Sequence, residues 1–225
     1  MAIGVNFNEG PLGRPTGLSE PEATAMLRVR ENPFSADRVL RLRYRLSPED
    51  WKKLFAKLAQ NHGRGALVGP KGSGKTTLLE DLAIRLRYKG KNVTMIRLST
   101  EFPRLPGSFN AAFFSRLTAS DAVLLDGAEQ LTFTQWLRFR WRTRRAGCVV
   151  VTTHHARRLP TLHRCTTSPA LLGELVSSLW KELGTAEIEA LHQRHSGNIR
   201  EAFRELSDRY ANKTAGPLSF PATRI

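Results

Sequence analysis

The stretch Gly69-Pro70-Lys71-Gly72-Ser73-Gly74-Lys75-Thr76-Thr77 constrains what this chain can fold into more than any other part of it. It fits the spacing G-x-x-x-x-G-K-[ST] at every position. The apolar run Ala66-Leu67-Val68 precedes it and Thr76-Thr77-Leu78-Leu79 opens a helical pattern, so the spacing predicts a strand over 65–69 and a helix over 75–88. Glycines at 69, 72 and 74 let the backbone wrap around phosphate oxygens with its N–H groups turned inward. The helix N-terminus adds a favourable dipole. In that geometry Lys75 reaches the β- and γ-phosphates of a nucleoside triphosphate, and the Thr76 hydroxyl faces Mg²⁺. Gly69, Pro70, Lys71, Gly72, Ser73, Gly74, Lys75, Thr76 and Thr77 are therefore candidate cofactor-binding residues.

Beyond this loop, short apolar runs alternate with helical patterns. Strands are expected at 93–98, 122–126, 148–153 and 162–167, and helices at 109–117, 132–145 and 169–182. That alternation implies a parallel sheet covered on both faces. Only helical patterns follow, at 185–194 and 197–211. Ahead of the loop, Leu40, Leu42, Tyr44 and Leu46 alternate with Arg41, Arg43 and Arg45, the period of a half-buried strand. Ser47-Pro48-Glu49-Asp50 then reads as a capped helix start, with Trp51, Leu54, Phe55 and Leu58 along the helix and Gly63 at its end. Residues 1–30 are rich in Gly and Pro and read as a flexible arm, and 212–225 as a loose tail. With 225 residues, no disulfide or metal staple is needed to build a core.

The longest apolar runs, Ala122–Leu125 and Cys148–Val151, are four residues long, against about 20 for a membrane span. The N-terminus lacks the pattern of a secretory signal. Two cysteines, Cys148 and Cys165, suggest a reducing compartment with buried thiols. A soluble cytoplasmic protein is expected. Lys and Arg number 35 against 20 Asp and Glu, a formal net charge of +15. Such an excess favours nucleic acid, an acidic membrane surface or an acidic protein as partner. Arg outnumbers Lys 26 to 9, a bias that genome base composition also produces.

On the loop and the order of elements around it, the chain resembles the P-loop NTPases of the additional-strand group, which includes the AAA+ ATPases. Within that group it is similar to bacterial AAA-type ATPases whose core follows an Asn-Pro-Phe segment, here Asn32-Pro33-Phe34. The likeness runs from about residue 31 to 211. It implies a three-layer α/β fold with sheet order 5-1-4-3-2, an ATPase core over 31–183 and a small helical lid over 184–211. In that order the phosphate-loop strand separates Cys148 from Cys165, which argues against a disulfide between them.

Further site residues follow from the same resemblance. Asp121-Ala122-Val123-Leu124-Leu125-Asp126 fits a Walker B strand, so Thr76 and Asp126 are the expected Mg²⁺ ligands. Relatives carry Glu directly after that Asp, to orient the attacking water. Here Gly127 stands in that place and the nearest carboxylate is Glu129, which a tight turn at Gly127 would bring inward. Glu101, beyond the strand at 93–98, is the rival, and a chain in which neither acts would be a slow hydrolase or a switch. His154, after Val149–Thr153, falls at the sensor 1 position, where its imidazole would meet the γ-phosphate or hold the water. Thr153 is the runner-up. Lys75, Glu129 and His154 are the catalytic candidates. Arg200, in Ser196-Gly197-Asn198-Ile199-Arg200, resembles the lid arginine that reads the γ-phosphate, although Glu201 and Glu205 offer it ordinary surface partners.

One more cluster is conspicuous. Arg138, Arg140, Arg142, Arg144 and Arg145 occupy a single predicted helix, with Phe133, Leu137 and Trp141 along one face. That apolar spacing is more common in cores than in base-stacking platforms. The arginines would offer phosphate contacts without sequence reading, a solvated face or a subunit contact. Arg157, Arg158 and Arg164 lie near where AAA+ assemblies place an arginine finger, so homo-oligomerisation is a further option. His192 and His195 lack a third ligand at metal spacing and read as helix surface. The function expected is an ATP- and Mg²⁺-dependent ATPase acting on or with nucleic acid or a partner protein. The alternatives are a nucleotide switch that recruits a protein and a small-molecule or nucleotide kinase. Adenine rests on the resemblance, with no Asn-Lys-x-Asp motif to indicate guanine.

Overall fold

The structure is a computed structural model that describes residues 32–35, 38, 39, 42, 44, 46–180 and 183–215. The arm expected over 1–30 lies outside the described residues, as do residues 216–225 of the expected tail. Helix α1 (Pro48–Gln60) leads into β1 (Arg64–Val68), followed by α2 (Lys75–Tyr88), β2 (Asn92–Arg97), α3 (Ala111–Ser115) and β3 (Asp121–Asp126). A single 3₁₀ turn (Ala128–Gln130), α4 (Phe133–Arg142), β4 (Cys148–Thr153) and β5 (Thr161–Arg164) come next. Three helices follow: α5 (Pro169–Ser177), α6 (Thr185–Arg194) and α7 (Ile199–Ala215).

All five strands are parallel, in the order β2-β3-β4-β1-β5 counted from the β2 edge, or 5-1-4-3-2 from the other. β4 is buried at all six residues and β3 at its four central ones, as strands covered on both faces must be. Alternate residues feed two cores. Leu67, Leu124 and Val150 join Leu78, Leu79 and Leu82 of α2 and Trp51, Leu54 and Leu58 of α1 on one side. Ala66, Val68, Val123, Leu125 and Val151 join Phe114 of α3 and Trp136 and Phe139 of α4 on the other. A third cluster unites Phe34 with Leu172 and Val176 of α5, Ile188 and Leu191 of α6, and Ala202, Phe203 and Leu206 of α7. The helices of this cluster begin with α5, ahead of the boundary expected at residue 184.

Caps set several element ends. Ser47 accepts from the Asp50 N–H at 3.0 Å to start α1, with Pro48 in its first turn. Thr132 and Gln135 form a reciprocal capping box at the start of α4. Residues 212–215, expected to be tail, continue α7.

Two expectations need correction. No strand is present at the described positions of 38–46, and Leu40, Arg41, Arg43 and Arg45 lie outside the described residues. Arg38 and Val39 are helical. Val39 and Leu42 pack against the α5–α7 cluster whereas Tyr44 and Leu46 pack against the α1–α2 core, so these four residues serve two cores rather than one face of a sheet edge. The second concerns α4, whose buried face is Trp136 and Phe139, at 5% and 0% exposure. Phe133, Leu137 and Trp141 stand outward at 73%, 45% and 64%. Phe139 meets Phe114 edge-on and stacks with Trp136, and this aromatic set claims the side of α4 nearest the sheet.

Among the described residues no helix is long and apolar enough to cross a membrane. The two exposure classes of α4 should separate in stability. Phe139→Ala should cost about 3–5 kcal/mol of unfolding free energy. Phe133→Ala should change it by less than about 0.5 kcal/mol. Urea denaturation followed by circular dichroism measures both, and equal losses would put the outward stripe back in the core.

Candidate functional site

The loop Gly69–Gly74 connects the end of β1 to α2, beside the end of the adjacent strand β4 and, one strand further on, the end of β3. Side chains at the carboxyl ends of parallel strands converge there. Gly74 is the N-cap of α2, with no side chain capping the helix and no acidic residue in its first turn. The first N–H groups of α2 are thus left for an outside anion. Lys75, only 8% exposed, folds its ammonium back onto the loop and donates to the carbonyls of Gly69 at 2.8 Å and Pro70 at 2.6 Å. Burial lowers its pKa, while the charges of Glu129 and Asp126 oppose that shift. Ser73 also donates to the Pro70 carbonyl, at 2.8 Å.

Thr76 Oγ1 donates to Asp126 Oδ2 at 2.8 Å, joining the first turn of α2 to the tip of β3. The other carboxylate oxygen of Asp126 accepts from Thr152 Oγ1 at 2.6 Å, and that hydroxyl accepts from the Gly127 N–H at 2.8 Å. Thr152 is 1% exposed on β4. Sequence reasoning singled out its neighbours Thr153 and His154 and passed over Thr152. The signal in the sequence is a hydroxyl directly after the apolar run Cys148–Val151, within the same strand. Thr153 uses its own hydroxyl within its turn, accepting from the His155 N–H at 3.4 Å.

Gly127 turns the chain at φ +81°, and a Cβ there would lie 2.5 Å from the Leu98 carbonyl. This left-handed turn starts the 3₁₀ element and swings Glu129 back toward the strand ends. His154 Nε2 lies 3.3 Å from Glu129 Oε1, while Glu129 Oε2 is buried with no hydrogen-bond partner in the protein. Glu101, by contrast, is exposed in the loop after β2. Arg158 is committed within its own chain: Nη2 donates to the Leu131 carbonyl at 2.6 Å and the guanidinium sits 5.1 Å over the Trp136 ring. Burial lowers its pKa and the Glu129 charge opposes this. Arg157 and Arg164 are exposed.

The helical unit closes over the loop from the other side. Gly72 sits at φ +75°, and a Cβ there would lie 1.9 Å from Asn198 Oδ1. The loop backbone is therefore in direct contact with the residue preceding α7, a contact invisible in the sequence. Arg200 joins Gly72–Thr77, Tyr44, Leu171, Leu175 and Phe203 around a cavity of about 280 Å³. Its alternative surface partners are taken, since Glu205 pairs with Arg194, His195 and Arg209, and Glu201 with Arg204. His195, expected on the helix surface, is half-buried against Glu205 at 2.5 Å. Cys148 and Cys165 are both buried and free.

Among the described residues no group of three His, Cys, Asp or Glu side chains forms a metal site. A hydroxyl and one carboxylate oxygen, as Thr76 and Asp126 offer, match what Mg²⁺ asks of a protein when phosphates and water fill its other positions. The arrangement combines an uncapped helix N-terminus, a buried lysine, a hydroxyl–carboxylate pair and a Glu–His pair at the ends of three adjacent strands.

Thr152→Val should test how this corner is held. The change strands the Gly127 N–H and one Asp126 oxygen and should cost about 1–3 kcal/mol in urea denaturation, with Thr152→Ser close to wild type. A neutral Thr152→Val would mean that Asp126 is positioned by other means. In the comparison with known proteins, no family model matches the chain, and no curated protein matches it either.

Proposed function

We propose that this chain is an ATP-binding P-loop ATPase of the AAA/AAA+ type, working with Mg²⁺ and acting with nucleic acid or a partner protein. One observation carries the reading: the 2.8 Å bond between Thr76 Oγ1 and Asp126 Oδ2, which sets a hydroxyl and a carboxylate side by side at the N-terminus of a helix with no side-chain cap. In this reading the Gly69–Gly74 backbone and the first N–H groups of α2 hold the phosphates. Lys75 exchanges its two loop carbonyls for phosphate oxygens. Mg²⁺, when bound by Thr76 and Asp126, supplies charge neutralisation on the transferred phosphoryl group. The 280 Å³ cavity, with Tyr44, Leu171, Leu175 and Phe203 in its wall, takes the nucleoside. Adenine as the base rests on the family resemblance.

Glu129 is the proposed base. Its buried, unpartnered Oε2 is the oxygen available to accept from an attacking water, while His154 Nε2 stands 3.3 Å from Oε1, where a protonated imidazole would orient the carboxylate. Arg200, on the helical unit and lining the same cavity, reports the state of the phosphates to α7. A second reading, a nucleotide switch with little turnover, is favoured by the 3.3 Å approach of His154 to Glu129, one of the two carboxylates whose charge acts on Lys75.

Steady-state ATP hydrolysis and equilibrium ATP binding separate these. Lys75→Ala should weaken ATP binding by about 10-fold or more, the worth of a lost charge-assisted contact. Glu129→Gln should leave binding within a few-fold of wild type and lower turnover by about 100-fold or more. Saturable ATP binding without turnover in the wild type would establish the switch. Unchanged affinity in Lys75→Ala would overturn both readings.

A further inference from the structure

The outward face of α4 takes no part in the proposed nucleotide site. Phe133, Leu137 and Trp141 recur every four residues and are 73%, 45% and 64% exposed. At 100° per residue they form one stripe, with Arg140 about 60° to one side and Arg138 about 100° to the other. Arg144, in the turn that follows, lays its guanidinium 4.3 Å over the Trp141 ring, and Arg145 is exposed beside it. Among the described residues none of Arg138, Arg140, Arg142, Arg144 and Arg145 is in an ion pair. The sequence around them explains why: from Gln130 to Gly173 there are eight arginines and no Asp or Glu.

We propose that this face binds single-stranded nucleic acid, with bases stacked on Phe133 and Trp141 and phosphates held by Arg138, Arg140, Arg144 and Arg145. Three alternatives fit the surface less well. A duplex hides its base faces, so it would meet the arginines and leave the aromatic rings in water. A second copy of this chain brings the same positive stripe, on a molecule of net charge +15, against itself. An acidic helix would satisfy the charge but has no planar groups for two exposed rings. Exposed aromatics interleaved with unpaired arginines are what stacking on single strands requires, and every base has a face to offer.

The face is joined to the nucleotide site by a short covalent path. α4 begins four residues after Glu129, through Gln130, Leu131 and the cap Thr132. Arg158 clamps this path, donating to Leu131 and lying over Trp136. Strand binding on α4 therefore bears on the position of Glu129, and this last step alone rests on the ATPase reading.

The test is fluorescence anisotropy of labelled oligothymidylate and oligouridylate of about 20 nucleotides, with a matched duplex and polyglutamate alongside and no ATP present. Omitting ATP keeps the result independent of the nucleotide site, and Lys75→Ala should bind the oligonucleotides as the wild type does. Phe133→Ala with Trp141→Ala should weaken single-strand binding by about 10-fold or more while keeping the salt dependence. Phe133→Tyr with Trp141→Tyr should retain most of it. Arg138→Ala with Arg140→Ala should reduce the slope of log affinity against log salt by about 1.4. An unfolding midpoint equal to that of wild type qualifies each variant. Single-strand binding that is indifferent to loss of both rings would overturn the proposal. So would tighter binding of the duplex, or binding of polyglutamate alone.

Discussion

The hydrogen-bonded chain Thr76–Asp126–Thr152–Gly127 is the constraint on which the rest of the site depends. It crosses from α2 to the tip of β3, then to β4, and back to the turn after β3. Each of its bonds involves a group that would be costly to leave unmade at this depth. Because Thr152 is fixed by its place in a fully buried strand, Asp126 has one orientation and Gly127 one turn. The position of Glu129 follows from that turn, and the approach of His154 follows from the end of the same strand β4. Burial of the sheet on both faces thus converts strand register directly into site geometry.

The helical unit contributes in a different way. Asn198 occupies the space above Gly72 that a side chain at that position would need. Phe203, Leu171 and Leu175 form the wall of the cavity beside the loop while belonging to, or packing against, the third hydrophobic cluster. A shift of α7 against the sheet would therefore change the cavity and move Arg200 together. On the proposed reading, this is how occupancy of the loop is felt by the rest of the molecule, and α4 is the second surface that feels it.

Much of the core fold was legible in the sequence because the patterns were local. The strand, loop and helix around Gly69–Thr77 are written in consecutive residues, and the apolar runs at 122–126 and 148–153 mark strands buried on both faces. The turn at Gly127 was legible too, since only glycine adopts its φ cheaply. Other features required knowledge of what packs where. Thr152 lies in a strand whose neighbours were the more conspicuous polar residues, and its role comes from pairing across β3 and β4. The Asn198–Gly72 contact joins positions 126 residues apart in number. On α4, two apolar faces exist, and periodicity alone cannot say which meets the sheet. The larger set, Phe133, Leu137 and Trp141, has the spacing more common in cores, whereas Phe114 and the underside of the sheet select Trp136 and Phe139. The sequence over 38–46 alternates like a strand, but Val39 and Leu42 serve one cluster and Tyr44 and Leu46 another, which alternation cannot reveal.

The central claim is that the loop and the Thr76–Asp126 pair form one Mg²⁺-assisted nucleotide site. Calorimetric titration of ATP into the protein, with Mg²⁺ and then with chelator, tests it most directly. The account predicts saturable binding to a single site that weakens when Mg²⁺ is removed and that loses this Mg²⁺ dependence in Thr76→Val. Absence of saturable binding, or binding equally tight with and without Mg²⁺ in the wild type, would contradict it.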